Sequence, residues 1–229
     1  LNEFSQYEMK IPSTNKTVQF RPYLVKEEKI LLTAFESDDD KEGLRAIYNT
    51  VLACCKDVDG PELKLYDVMH MFNAIRSRSV GETADLTIKC KHCGTPNPVE
   101  IDVDSVEIGE INPNKTIKID KYEVEVSHPT FLQSTKNDAL VNGGSIAELM
   151  ISLIADSIRI IRTEDERLDV SEYPKKQIIE FVESMTREQF QEFWDFLDDV
   201  PKLSFQTEFD CASCEKNNKI IIGSNTDFF

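Results

Sequence analysis

Histidine is scarce in this sequence, three in 229 residues, and that scarcity removes most ways of building a catalytic centre. A Ser/His/Asp or Cys/His engine needs an imidazole beside its nucleophile. His70, His92 and His128 are scattered, with no sequence cue that joins any of them to a nucleophile. No H-E-x-x-H occurs, and no H-x-E partner precedes a P-C-x-x-C, so the metalloprotease and deaminase readings lack their bases. Walker and dinucleotide fingerprints are missing as well, and Gly143-Gly144-Ser145 reads as a helix-start turn. His70 reads as a residue at the edge of a helical core. His128, in a turn before Pro129, receives no role.

Positive charge is also in deficit. The chain carries 26 basic and 42 acidic side chains, a net of −16, whereas a nucleic-acid binder needs a basic face to displace counterions from phosphates. The acidity deepens along the chain, from −2 over residues 1–80 to −5 over 81–143 and −9 over 144–229. A solvated helical surface is the plain reading of this gradient, and a docking face for a basic partner is the sharper one. No apolar run approaches the roughly 18 to 20 residues that cross a bilayer, so membrane insertion is not expected. Leu1-Asn2-Glu3-Phe4-Ser5-Gln6 lacks a basic region followed by an apolar stretch, so no signal peptide is expected either. With 40% hydrophobic and 30% charged residues, the chain should fold around a buried core. Six cysteines without a secretion signal point to a reducing compartment, the cytosol.

Four of those cysteines fall into two C-x-x-C pairs, Cys90-Lys91-His92-Cys93-Gly94 and Cys211-Ala212-Ser213-Cys214. Each spacing lets one turn of backbone offer two sulfurs to a single ion, and together they supply a tetrahedral Cys₄ zinc site. Alternating strand patterns flank both pairs, as in zinc knuckles. Gly94 suits the turn because glycine tolerates positive φ, and Glu215 in the equivalent place makes the second knuckle a poorer match. The pairs lie 117 residues apart, far beyond the separation of about 15–20 in ordinary ribbons. Two alternatives stand beside structural zinc: a site that has kept its cysteines without metal, and redox-active dithiols. A redox pair usually opens a helix after a strand, and neither pair is followed by a helical pattern. Four thiolates would leave no open position for water, which argues against catalytic zinc. His92, between two ligands, is expected to face solvent.

Periodicity divides the rest of the chain. Tyr7–Ile11 and Thr17–Phe20 alternate around a turn and predict a β-hairpin. Val25–Phe35 predicts a helix that ends at the acidic break Ser37-Asp38-Asp39-Asp40. Leu44, Ile47, Tyr48, Val51, Leu52 and Cys55 form one face of a second helix, with Cys55 as core. Leu65, Val68, Met69, Phe72 and Ile75 form the face of a third. Residues 83–126 read as β-rich. Ser145 and Glu148 make a capping box for a helix that buries Ile146, Leu149, Met150, Leu153, Ile154, Ile158 and Ile161. Pro174 suits the first turn of the next helix, and Thr186 with Gln189 caps a third that turns Phe190, Phe193, Trp194 and Leu197 inward. Phe196 falls off that stripe; a protein-binding surface is the sharper reading, and core packing against another helix accounts for most of the cluster. The acidic groups Glu164-Asp165-Glu166 and Asp198-Asp199 read as solvated ends rather than cation sites.

The stretch Ile11-Pro12-Ser13-Thr14, followed by Phe20-Arg21-Pro22-Tyr23-Leu24-Val25-Lys26-Glu27-Glu28-Lys29-Ile30-Leu31-Leu32, resembles the N-terminal signature of T4-type phage baseplate hub proteins. The hairpin, the R-P-aromatic step and the K-E-E-K helix carry the likeness, and the later chain matches less specifically. The resemblance implies a non-enzymatic role in assembling the central hub of a contractile tail, as a hub component or an assembly factor. Its implied partners are other hub proteins, and its implied places are the host cytoplasm and the tail baseplate. It supplies no catalytic residues, and the zinc reading rests on the cysteines.

The expected fold is therefore α+β. Residues 1–80 form an N-terminal hairpin and helices, 81–127 with 202–229 a zinc-ribbon-like unit, and 128–201 a helical insertion. The expected site is Cys90, Cys93, Cys211 and Cys214 around one structural Zn²⁺, with no catalytic residues. A zinc-ribbon adaptor regulating transcription or another cellular machine is the alternative function, and a hydrolase lacks its base and nucleophile pair.

Overall fold

Alternation of Tyr7, Met9 and Ile11 with polar residues makes the first hairpin. In the computed structural model, which describes residues 5–37, 39–109, 111–135, 145–201 and 203–223, strand β1 (Tyr7–Lys10) pairs antiparallel with β2 (Thr17–Phe20), Tyr7 opposite Phe20. Met9, Val18 and Phe20 are buried on one face. Asn15 takes the left-handed turn position at φ 56°. Ser13 donates from its backbone N–H and its hydroxyl to the buried Asp67 carboxylate, at 2.8 and 2.7 Å. The turn is thereby tied to the start of a helix 54 residues away.

The chain divides into two compact units, one of residues 1–60, 66–110 and 201–229, the other of 61–65 and 111–200. The first unit holds the hairpin, three helices and a second set of strands. Helix α1 (Val25–Phe35) begins where Glu27 accepts from the Leu24 N–H at 2.8 Å and from Arg21 at 3.0 Å. Burial raises the Glu27 pKa, but the Arg21 guanidinium and the Leu24 N–H outweigh it and hold the carboxylate below its ordinary value. Asp39 caps α2 (Asp40–Cys54) by accepting from Lys41 N–H. Helix α3 (Leu65–Val80) buries Tyr66, Val68, Met69, Met71, Phe72 and Ile75.

The inward face of α2 corrects one expectation. Ala46, Ile47, Tyr48, Thr50, Val51 and Cys54 are buried, whereas Leu52 is exposed and Cys55 half-buried. The helix stops at Cys54, and Cys55 turns extended to bridge Phe20 of the hairpin. Gly60 closes against this helix so tightly that a Cβ there would lie 2.8 Å from a Leu52 methyl and 2.9 Å from the Tyr48 hydroxyl.

Beyond α3, β3 (Thr83–Lys89) and β4 (Pro96–Asp102) form an antiparallel hairpin in register from Thr83–Asp102 to Lys89–Pro96. Asn73 and Ser77 of α3 hold the residues after it, through Val103 O at 3.0 Å and Asp104 Oδ1 at 2.7 Å. Strand β5 (Glu107–Ile108) pairs with a strand from the end of the chain, β10 (Leu203–Asp210), whose other edge takes β11 (Asn217–Gly223).

The second unit is built on an antiparallel sheet in the order β6 (Asn114–Ile119), β7 (Tyr122–Ser127), β8 (Ile158–Arg162), β9 (Arg167–Asp169). The strands within residues 114–127 thus share one sheet with β8 and β9, β7 pairing with β8, and not a sheet with the cysteine-bearing hairpins. Among the described residues, four α-helices complete the unit: α4 (Phe131–Thr135), α5 (Ile146–Ser157), α6 (Lys175–Glu183) and α7 (Arg187–Asp198). The capping boxes of Ser145 with Glu148 and of Thr186 with Gln189 are both present, and Pro174 stands at the N-cap of α6.

Two expectations fail here. Ile158 to Ile161 do not continue α5. The Ser157 hydroxyl donates back to Ile154 O, and the β-branched run Ile158-Arg159-Ile160-Ile161 pairs with β7 instead. Ile146 lies in the first helical turn and is 78% exposed. Phe196, off the apolar stripe, packs into the core rather than onto an exposed surface. It is buried, its ring stacked 4.6 Å from that of His128, itself buried with a pKa lowered to about 4 by desolvation and the nearby Lys64 charge. The His128 ring widens the buried face of α7 by the one position that periodicity left out.

The core of this unit joins Ile117, Ile119, Val124 and Val126 of the sheet to Ile154, Ile178, Val182 and Phe193 of the helices. Among the described residues, no helix is long and apolar enough to cross a membrane. Phe193 is fully buried. Phe193→Ala is expected to cost about 3–5 kcal/mol through lost transfer energy and the cavity left behind, measurable by denaturant unfolding. A cost below about 1 kcal/mol would show that this core is not close-packed.

Candidate metal centre

Each cysteine pair occupies the turn of a hairpin, and the two turns have the same backbone. In the first, Cys90 N–H donates to Thr95 O at 2.9 Å and Gly94 N–H to Cys90 O at 2.9 Å. In the second, Cys211 N–H donates to Lys216 O at 3.0 Å and Glu215 N–H to Cys211 O at 2.9 Å. Gly94 and Glu215 take the same left-handed conformation, φ 75° and 56°. The second knuckle therefore matches the first despite its glutamate, and its left-handed strain is the local cost of the turn.

The turns face one another within the first unit. Cys90 Sγ lies 3.7 Å from Cys214 Sγ and Cys93 Sγ 3.6 Å from Cys211 Sγ, and all four sulfurs fall within 4.8 Å of one another. Four sulfurs at the usual Zn–S distance on a tetrahedron stand about 3.8 Å apart, so the donor set fits one Zn²⁺. The first cysteine of each pair, Cys90 and Cys211, is buried, while Cys93 is exposed and Cys214 half-buried.

Backbone N–H groups aim at the buried sulfurs, from His92 to Cys90 at 3.3 Å and from Ser213 to Cys211 at 3.4 Å. Burial resists ionisation of Cys90, but these donors, with Cys93 N–H and the Asn218 amide, lower its pKa to about 6. Cys211 is lowered by the N–H groups of Cys214 and Ser213. At Cys214 the Lys216 N–H favours the thiolate, yet burial and the neighbouring thiols win and raise the pKa to about 11. Four soft donors so arranged are compatible with a metal ion, and four thiolates around it would leave no place for a reacting water.

His92 is exposed, its Nε2 3.4 Å from Asn217 O, and it is not part of the sulfur cluster. Strands β4 and β11 follow the two pairs, which is not the strand-to-helix context of a redox dithiol. Cys54 and Cys55 lie outside the cluster, their pKa values raised to about 11 and 12 by burial, which leaves them inert thiols. Glu164, Asp165 and Glu166 are exposed in the turn between β8 and β9, and Asp198 and Asp199 are exposed at the end of α7.

Sequence reasoning missed two residues of this site, Asn97 and Asn218. Asn97 Oδ1 accepts from the Ala212 N–H at 2.9 Å, and Asn218 Oδ1 from the Lys91 N–H at 2.9 Å. Their amide nitrogens lie 3.7 Å from Cys211 Sγ and 3.5 Å from Cys90 Sγ. The available signal was a repeated Cys-x₂-Cys-x₃-Asn spacing, Cys90 to Asn97 and Cys211 to Asn218.

The family described as T4 bacteriophage base plate protein matches residues 4–229, nearly the whole chain. The chain belongs to that family. No curated protein and no solved structure matches it. Base plate proteins are structural parts of the phage tail, and membership implies contacts with other tail proteins.

The turn geometry gives a direct test. No atom lies within 4 Å of a Cβ built on Gly94, so the cost of a side chain there is conformational alone. Gly94→Val, β-branched at positive φ, is expected to cost about 1–2 kcal/mol. Glu215→Gly should stay within about 1 kcal/mol of neutral, relief of strain offsetting the freer unfolded chain. Thermal unfolding reads both, and an equal loss from the two substitutions would refute the equivalence of the turns.

Proposed function

We propose that this base plate family member is a non-enzymatic assembly protein of the baseplate hub, working through protein–protein contacts. One structural Zn²⁺ on Cys90, Cys93, Cys211 and Cys214 staples its two knuckles into a zinc-ribbon-like unit. The observation that carries the reading is the convergence of four thiols from two distant hairpins in a chain that belongs to a structural tail family. The hub assignment draws on the N-terminal stretch from Ile11 to Leu32. Its partners are other hub proteins, met in the host cytoplasm during assembly and in the tail baseplate. The acidic balance of −16 disfavours nucleic acid and suits a basic protein surface.

Zinc bound to such a site contributes on the order of 10 kcal/mol to folding at neutral pH. Protein purified without chelator should carry one zinc per chain by elemental analysis. Cys90→Ser or Cys211→Ser should lose the metal with a large fall in melting temperature, and finding no zinc in the unmodified chain would overturn this part.

The assembly role is tested in infected cells. The tagged chain should co-purify with hub proteins, and its loss should abolish viable particles with accumulation of hub intermediates. Normal hub assembly without it would overturn the role. Mass spectrometry of finished virions then separates a resident component from a factor that leaves.

A further inference from the structure

The two asparagines do more than fill space. Asn97, in β4, is 3% exposed and Asn218, in β11, is 1% exposed. Each uses its whole amide in the same way. The oxygen accepts from the backbone N–H that follows the first cysteine of the other knuckle, Ala212 for Asn97 and Lys91 for Asn218, both at 2.9 Å. The nitrogen donates to a carbonyl of its own knuckle, Thr95 O at 2.7 Å or Lys216 O at 2.9 Å. The same nitrogen also donates to the first sulfur of the other knuckle, Cys211 or Cys90. An amide turned end for end would set its oxygen against a carbonyl and a sulfur, so the orientation is determined.

We infer that Asn97 and Asn218 are a reciprocal pair of positioning residues for the metal, each holding and polarising the half-site that the other hairpin carries. The inference rests on the zinc reading above. Its physical basis is that a Zn²⁺ with four thiolates carries a net charge of −2, and donors aimed at the sulfurs spread that charge and fix the ligands. The backbone supplies such donors to each inner sulfur from within its own turn, His92 and Cys93 N–H to Cys90 and Ser213 and Cys214 N–H to Cys211. The asparagines supply the donors that cross from one hairpin to the other. Because the two crossings are equivalent, the site is two like halves. Neither half is complete without the residue seven positions past the first cysteine of its partner.

The test uses the full chain with Asn97→Asp and Asn218→Asp. Aspartate keeps the shape and the acceptor for Ala212 or Lys91, loses the donor to sulfur, and adds a negative charge beside the thiolates. Each variant is expected to bind Zn²⁺ roughly 10- to 100-fold more weakly in competition with a chelator. The two losses should be similar. In the Co²⁺-substituted chain, the sulfur-to-metal charge-transfer band should move to lower energy as the sulfur loses its hydrogen bond. The neutral variants Asn97→Leu and Asn218→Leu, which lose the donor without adding charge, should move the band in the same direction, and there a merely space-filling asparagine would leave it in place.

Unchanged affinity and an unmoved band, in variants that still bind one metal, would overturn the inference while leaving the zinc reading intact. A parent chain that binds no zinc would instead defeat the zinc reading itself. Should the variants fail to fold, amide hydrogen exchange in the unmodified, metal-loaded chain decides. Lys91 and Ala212 are exposed residues, and their N–H groups should nonetheless exchange slowly and to a similar degree. Exchange at the rate of an open turn would overturn the crossed bonds.

Discussion

Two hairpins whose cysteine pairs lie 117 residues apart in the chain meet at four sulfur atoms, and that meeting organises the β-part of the first unit. Among the described residues, the apolar core between the hairpins is small. Their buried apolar cluster is Val99 and Ile101, with Leu86, Ile88, Val106 and Phe209 partly covered. Two-stranded hairpins of this size are marginal in water without further support. Besides Phe209 of β10 packed on this cluster, what joins β3–β4 to β10–β11 is polar: sulfur facing sulfur, backbone N–H groups donating across to the Asn97 and Asn218 amides, and Lys91 Nζ reaching Lys219 O at 2.9 Å. The second unit shows the contrast. It closes a four-stranded sheet under helices with twelve buried residues in its core cluster, and it needs no staple.

This division of labour also bears on function. The side chains that converge on the sulfur cluster, Asn97 and Asn218, bond to sulfur and to the backbone of the facing turn. Four thiolates around one ion would saturate it. The site is suited to holding two strand pairs at a set separation, which is what a structural tail protein requires of a rigid part. The proposed hub role therefore belongs to surfaces that such a rigid part presents, and the sulfur cluster does not itself identify the contacting surface.

Local devices were legible in the chain because their physics is local. Ser145 with Glu148 and Thr186 with Gln189 cap helices from within one turn, and a C-x-x-C spacing places two sulfurs from one turn. The failures came where a distant partner overrode the local pattern. Ile158 to Ile161 fit the helical period of α5, yet an open edge of β7 took them as a strand. Cys55 fit the apolar face of α2, yet the helix ended one residue earlier because Phe20 offered a backbone partner. Phe196 fell off the stripe of α7 until the ring of His128 extended it.

By itself the sequence determined the kinds of element, most of their caps, the absence of a recognisable catalytic constellation and the four cysteines that belong together. Spacing, periodicity and charge are all properties of short windows or of sums, and these can be read without coordinates. Only the tertiary structure decided that the two knuckles share one backbone geometry, that Glu215 occupies the same turn position as Gly94, and that Asn97 and Asn218 cross between them. Those facts depend on hydrogen bonds between residues more than a hundred positions apart. A bond of that kind leaves no mark on the pattern of either segment beyond the bare presence of an asparagine.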